Sequence, residues 1–95
     1  MEIKTIRHKA LKAYIETGRA KGLDARLAGR IRSMIAFLAI ARDVDDLHIP
    51  PNFDFHWLSG NCAGTAAMTL IKNWRMTFAI NDDGKIIDLD LEDYH

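Results

Sequence analysis

The sequence predicts an α+β domain, two N-terminal helices packed on an antiparallel sheet, and three observations carry that reading. Apolar residues recur with a helical period up to Ala41. They recur with a period of two from Phe53 onward, and the paired Pro50-Pro51 separates the two regimes. Helices followed by a run of strands bury their apolar faces as one helical layer on one sheet. Ninety-five residues support a single core, so residues 1–95 are read as one domain.

In chain order, Ile3–Ile6 is a candidate short leading strand. Lys9–Thr17 reads as a helix, with Leu11, Tyr14 and Ile15 at helical spacing and Gly18 as its stop. A basic connector reaches Gly22. Asp24 then caps a second helix in which Leu27, Ile31, Met34, Ile35 and Leu38 form an amphipathic stripe.

Past the prolines, Phe53, Phe55 and Trp57 alternate inward on a first strand, turning Asp54 and His56 outward. A turn at Asn61–Gly64 leads to a strand with Ala66, Met68 and Leu70 inward and Thr65, Ala67 and Thr69 outward. Lys72-Asn73 turns the chain into a third strand, with Trp74, Met76, Phe78 and Ile80 inward and Arg75, Thr77 and Ala79 outward. Asn81-Asp82-Asp83-Gly84 is a hairpin signal. The last strand then buries Ile87, Leu89 and Leu91 before running out into Asp93-Tyr94-His95. A terminus ordinarily frays, so a strand that ends in such side chains is expected to put them to use. The α-carboxylate expected on His95 would favour its protonated imidazole.

The formal charge is zero, but its distribution is polar. Residues 1–32 hold nine Lys/Arg against three acidic residues, a net +6, and the remainder holds four against ten, a net −6. The basic half suits a polyanion or an ordinary solvated helical surface. Arg26 and Arg30, four apart, share one helical face there. The lone Cys62 gives no disulfide framework and fits a reducing compartment. The longest apolar run is far short of the roughly 20 residues of a membrane helix, and the N-terminus does not read as a signal peptide. A cytoplasmic protein without membrane contact is expected.

His56, Arg75 and Asp93-Tyr94-His95 are the candidate chemical groups. An RNA 2′-hydroxyl attacking its own phosphate needs a base, an acid for the departing 5′-oxygen and a cation for the added charge. Imidazole fills either proton role near neutrality, and guanidinium grips phosphate with two bonds. Each group also has a plainer reading: His56 as an exposed strand residue, Arg75 as a cross-strand partner of Asp88 or Asp90, Tyr94 as a ring closing the sheet edge. A metal site from His56, Asp93 and His95 lacks the short ligand spacing of metal motifs. No metal or other cofactor is expected. His8 and His48 read as surface residues.

Together, the basic helical half, Phe55-His56-Trp57-Leu58-Ser59-Gly60, Asn73-Trp74-Arg75-Met76-Thr77-Phe78 and the final Glu92-Asp93-Tyr94-His95 resemble the HigB-type toxins of the RelE/ParE superfamily. The resemblance covers essentially the whole chain. It implies a bacterial type II toxin that cleaves mRNA in the ribosomal A site as a metal-independent endoribonuclease. It also implies neutralisation by a HigA-like helix-turn-helix antitoxin, through which alone the toxin meets operator DNA. Carried over, His56, Asp93, Tyr94 and His95 match active-site positions and Arg75 the phosphate-contacting arginine, with Arg26 and Arg30 as candidates for ribosomal RNA contact on charge alone. Ser59 stands where relatives commonly carry a lysine, and the chain is less basic than they are. The competing readings are a ParE-like toxin that inhibits DNA gyrase without cleavage, and a weakened member that mainly binds its antitoxin.

Overall fold

The computed structural model describes residues 1–50, 52–71 and 73–93, with Cys62 described by its backbone alone. Two helices lie on a four-stranded antiparallel sheet. The elements are α1 (Lys9–Thr17), α2 (Ala25–Ile40), a 3₁₀ turn at Val44–His48, β1 (His56–Trp57), a second 3₁₀ turn at Gly60–Cys62, β2 (Ala66–Ile71), β3 (Trp74–Ile80) and β4 (Ile86–Asp93). The strands pair in sequence order, β1-β2-β3-β4.

The helices follow their local signals. The α1 start is closed by His8, whose Nδ1 accepts from the Leu11 N–H at 3.1 Å, so this surface histidine is also a cap. The helix stops at Gly18, where φ is 77° and the N–H returns to the Tyr14 carbonyl at 2.8 Å. In α2 the Asp24 carboxylate accepts from the Arg26 N–H at 2.9 Å. Its last carbonyls, Leu38 and Ala39, with Ala41 beyond, accept from the Met1 ammonium, a cation suited to the negative end of the helix dipole. Leu27, Ile31, Met34 and Leu38 bury the α2 stripe against Ala66, Met68, Leu70, Met76 and Phe78 of the sheet, and Leu11 enters the same core from α1.

Two stretches depart from the alternation read in the sequence. The first strand is only His56–Trp57, because Phe53 and Asp54 have φ of 52° and 59° and turn the chain left-handed before it. Phe55 is buried, whereas Trp57, expected inward, is 46% exposed. In β4 the pairing steps from Ala79↔Ile87 to Thr77↔Asp90, so three residues of β4 span two of β3. This is a bulge, centred on Asp88 at φ 56°. The slip makes Ile86, not Ile87, the first buried residue of the strand, followed by Leu89 and Leu91 as expected. The leading segment lies along β4 through parallel bridges Ile3↔Ile86 and Ile6↔Leu89 rather than as a regular strand. It also fills the bulge: Thr5 Oγ1 accepts from the Asp88 N–H at 2.8 Å. Trp74 and Ile80 of the inward set on β3 are only half-buried, and Ala67 of the outward set is fully buried.

Candidate functional site

The sheet face turned away from the helices holds the candidate groups, and strand register arranges them in rows. One row runs His56, Ala67, Thr77 and Asp90 across β1 to β4; the next runs Thr69, Arg75 and Glu92 across β2 to β4. His56 and Arg75 are therefore about 10 Å apart across two strand spacings and about 7 Å along the strand.

The corner before β1 aims the histidine. Its left-handed turn costs backbone energy, more for Phe53 than for Asp54, since Asp tolerates this region. Tertiary contacts hold it. The Phe53 ring packs edge-on against Phe37 at 5.5 Å, and Arg30 lies 4.9 Å above its centroid. Arg30 Nε and Nη2 also donate to the Thr69 carbonyl at 3.4 and 3.3 Å. Thr69 in turn donates through its N–H to the Phe53 carbonyl at 2.7 Å and through Oγ1 to the Asp54 carboxylate at 3.1 Å. On this braced corner, His56 Nδ1 lies 2.7 Å from the Asp54 carbonyl. A carbonyl only accepts, so Nδ1 carries a proton and Nε2 is the ring atom left to act as a base, on an exposed side chain.

Arg75 is only 20% exposed along its side chain, and its Nε lies 3.5 Å from the Glu92 carboxylate, which is 40% exposed. Its cross-strand acidic neighbour is thus Glu92 rather than Asp88 or Asp90. Arg7 and Asp88 form a second pair on this side at 3.6 Å.

Asp93, Arg26 and Arg30 lie elsewhere. Asp93 pairs with Trp74, one step out of phase with Glu92, and so occupies the reverse face at the end of β4. There it lines a cavity of about 140 Å³ with Arg26, Ile71, Asn73 and Trp74. Tyr94 and His95 lie outside the described residues, as do Lys72 and Pro51. Arg26 is bound to its own cap, with Nη2 2.7 Å and Nε 3.1 Å from the Asp24 carboxylate. That hydrogen-bonded ion pair draws the Asp24 carboxyl down to about 2. Arg30 is committed to the Phe53 corner. Sequence reasoning saw both arginines as outward cations and had no signal for the partners they bind. Among the described residues no group of His, Cys, Asp or Glu could hold a metal ion. Among the described residues no helix is long and apolar enough to cross a membrane.

Comparison with known proteins places the chain in a family. The sequence profile described as RelE-like toxin of type II toxin-antitoxin system HigB matches residues 4–95. The chain is 35% identical over 94 residues to Endoribonuclease HigB of Proteus vulgaris, covering 98% of this chain and 99% of that protein. Similar solved structures include a RelBE toxin–antitoxin complex from Mycobacterium tuberculosis, at 19% identity and TM-score 0.44 over 96% of each chain. A conserved hypothetical protein of Helicobacter pylori aligns at 15% identity and TM-score 0.48, over 97% of this chain and 96% of that one. With the family match running from Lys4 to His95, the chain belongs to the HigB-like toxins, the RelE-like toxins of type II toxin-antitoxin systems.

Proposed function

We propose that this toxin is a ribosome-dependent endoribonuclease that cleaves mRNA in the A site without a metal ion. The observation that carries the reading is the placement of His56 and Arg75 in adjacent rows of one exposed sheet face, in a chain 35% identical to a protein named Endoribonuclease HigB. In the reaction, the ribose 2′-oxygen bonds to the adjacent phosphorus as the bond to the 5′-oxygen breaks, leaving a 2′,3′-cyclic phosphate and a 5′-hydroxyl. His56 Nε2 takes the 2′-hydroxyl proton, His95 supplies the proton to the departing 5′-oxygen, and Arg75 neutralises the charge that builds on phosphate. Tyr94 stacks on a base or donates a hydrogen bond. Asp93, on the reverse face, acts as a positioning residue for the two residues after it and does not touch RNA.

Arg26, exposed beside its cap, is proposed to meet ribosomal RNA. Arg30 contributes chiefly by holding the corner beneath His56. The toxin is cytoplasmic and is neutralised by a HigA-like helix-turn-helix antitoxin, which alone brings it to operator DNA. A weakened nuclease is the second reading, favoured by Glu92 at 3.5 Å from Arg75 and by Ser59 in place of a lysine. Primer extension on mRNA under translation tests the first reading: cuts within A-site codons are expected, and a growth-inhibiting, folded toxin that leaves mRNA intact refutes it.

A further inference from the structure

The face that would receive RNA carries an unusual number of carboxylates, and most are already committed. A cavity of about 150 Å³ opens there over β3, lined by Leu58, Thr65, Thr77, Ala79, Asp90 and the Arg7–Asp88 pair. Its volume is well below the roughly 300 to 1,000 Å³ of sites for drug-sized ligands, a scale suited to one flat ring. Glu92, at its edge, is paired with Arg75 and Asp88 with Arg7. Asp90 differs. Its Oδ1 accepts from the Leu91 N–H at 2.9 Å, and among the described residues no side chain pairs with it.

Directly across from Asp90 in the register stands Thr77, 5% exposed and lining the same cavity. Its Oγ1 makes no hydrogen bond among the described residues and is not fully enclosed by protein, so it is open to the cavity that Thr77 lines. A carboxylate oxygen and a hydroxyl thus stand side by side in a ring-sized cavity. The hydroxyl can donate or accept, and the carboxylate can only accept.

From this we infer that the cavity is a nucleobase pocket selecting bases with an exocyclic amino group. The inference rests on the RNA-cleaving reading for its biological meaning. Phosphate is repelled by Asp90, whereas an amino N–H is attracted to it. Adenine and cytosine present an amino donor beside a ring-nitrogen acceptor, matching Asp90 and Thr77 respectively. Guanine offers two adjacent N–H donors to the carboxylate and a carbonyl to the hydroxyl. Uracil places carbonyls on both sides of its one N–H and brings an acceptor against the carboxylate. Leu58 supplies an apolar wall for the ring. Single-stranded RNA is read in this way, by splayed bases bonded along their edges, and Thr77 shares its row with His56.

Titration of the folded toxin with free nucleosides, followed by amide ¹H–¹⁵N shifts, tests the pocket independently of catalysis. Adenosine, cytidine and guanosine are expected to shift Leu58, Thr77 and Asp90, with uridine at least about tenfold weaker, the scale of one charge-assisted hydrogen bond. Asp90→Asn keeps the shape and an acceptor for Leu91 N–H, and it should abolish that discrimination. Thr77→Val should weaken adenosine and cytidine binding several-fold while the fold persists. Equal response to uridine, shifts confined to other surfaces, no response to any nucleoside, or unchanged preference in Asp90→Asn would each overturn the inference. Wild-type cleavage of programmed ribosomes, measured alongside, reports separately on the nuclease reading.

Discussion

Glu92→Gln isolates what the Arg75 pair costs the proposed RNA-binding face. The proposed phosphate contact starts from an arginine whose Nε is already 3.5 Å from a carboxylate, so phosphate must displace or outcompete Glu92. At that distance Coulomb attraction is about 1 kcal/mol in bulk water and about 5 kcal/mol at an effective dielectric of about 20. Glu92 is 40% exposed, so the net value falls to the range of surface pairs, up to about 1 kcal/mol. Glutamine keeps the shape and removes the charge. RNA engagement should therefore gain up to about fivefold, read as kcat/KM for A-site cleavage at subsaturating toxin. Because the same pair contributes so little to folding, Tm should move by no more than about 5 °C for a chain of this size. A correctly folded variant whose kcat/KM is unchanged or lower would refute the reasoning and remove Arg75 from the phosphate contact.

The other expectations concern single residues. His56→Ala should lower cleavage by about 10²- to 10⁴-fold with little change in Tm, because the ring is exposed and, among the described residues, its one polar contact is the Asp54 carbonyl; near-wild-type single-turnover rates would exclude it as base. Met34→Ala, at a fully buried position, should cost about 2 to 5 kcal/mol in urea unfolding. Gly18→Ala meets no atom within 4 Å of the new Cβ, so its cost of about 1 kcal/mol or slightly more is left-handed backbone strain alone; a neutral result would refute the αL cap. Asp24 has its carboxyl depressed to about 2, first by the Arg26 side-chain hydrogen bond and then by the backbone one. Its folded-state value lies below the unfolded value of 3.8, so its stabilisation is full above the unfolded value and is lost as pH falls toward 2. In acid titrations of wild type and Asp24→Asn, the stability gap should close over that interval.

What could be read from the sequence was what local chemistry decides. Asp24 and Gly18 mark helix ends by their own side-chain and backbone properties. The α2 stripe and the faces of β2 and β3 follow from period alone, and that was enough to put His56 and Arg75 on one side of the sheet. The errors fall where a residue other than glycine turns left-handed. Phe53 carries no turn signal; its φ of 52° is held by Phe37 and Arg30, residues roughly 16 and 23 positions earlier that no local window contains. The same contacts turned Arg30 from an apparent surface cation into the brace of the histidine corner. The Thr77–Asp90 pocket was hidden for a related reason: alternation shows which way Thr77 faces but not which residue of β4 stands opposite it.

That opposition is set by the bulge. Had β4 kept the spacing of Ala79↔Ile87 without interruption, Thr77 would pair with Leu89 and the outward face of the strand would end in Leu91 opposite Arg75. The extra residue at Asp88 restores Asp90 to Thr77 and Glu92 to Arg75. It also returns Leu89 and Leu91 to the core. The N-terminal segment secures the slip, with Thr5 binding the Asp88 and Leu89 N–H groups and Arg7 reaching the Asp88 carboxylate. Thr5→Val therefore removes a hydroxyl far from the His56 corner yet weakens the register on which both Asp90 and Glu92 depend. Faster hydrogen exchange at the Asp88 amide is expected, together with loss of base discrimination at Thr77. Exchange that stays at the wild-type rate would mean that strand pairing alone holds the bulge.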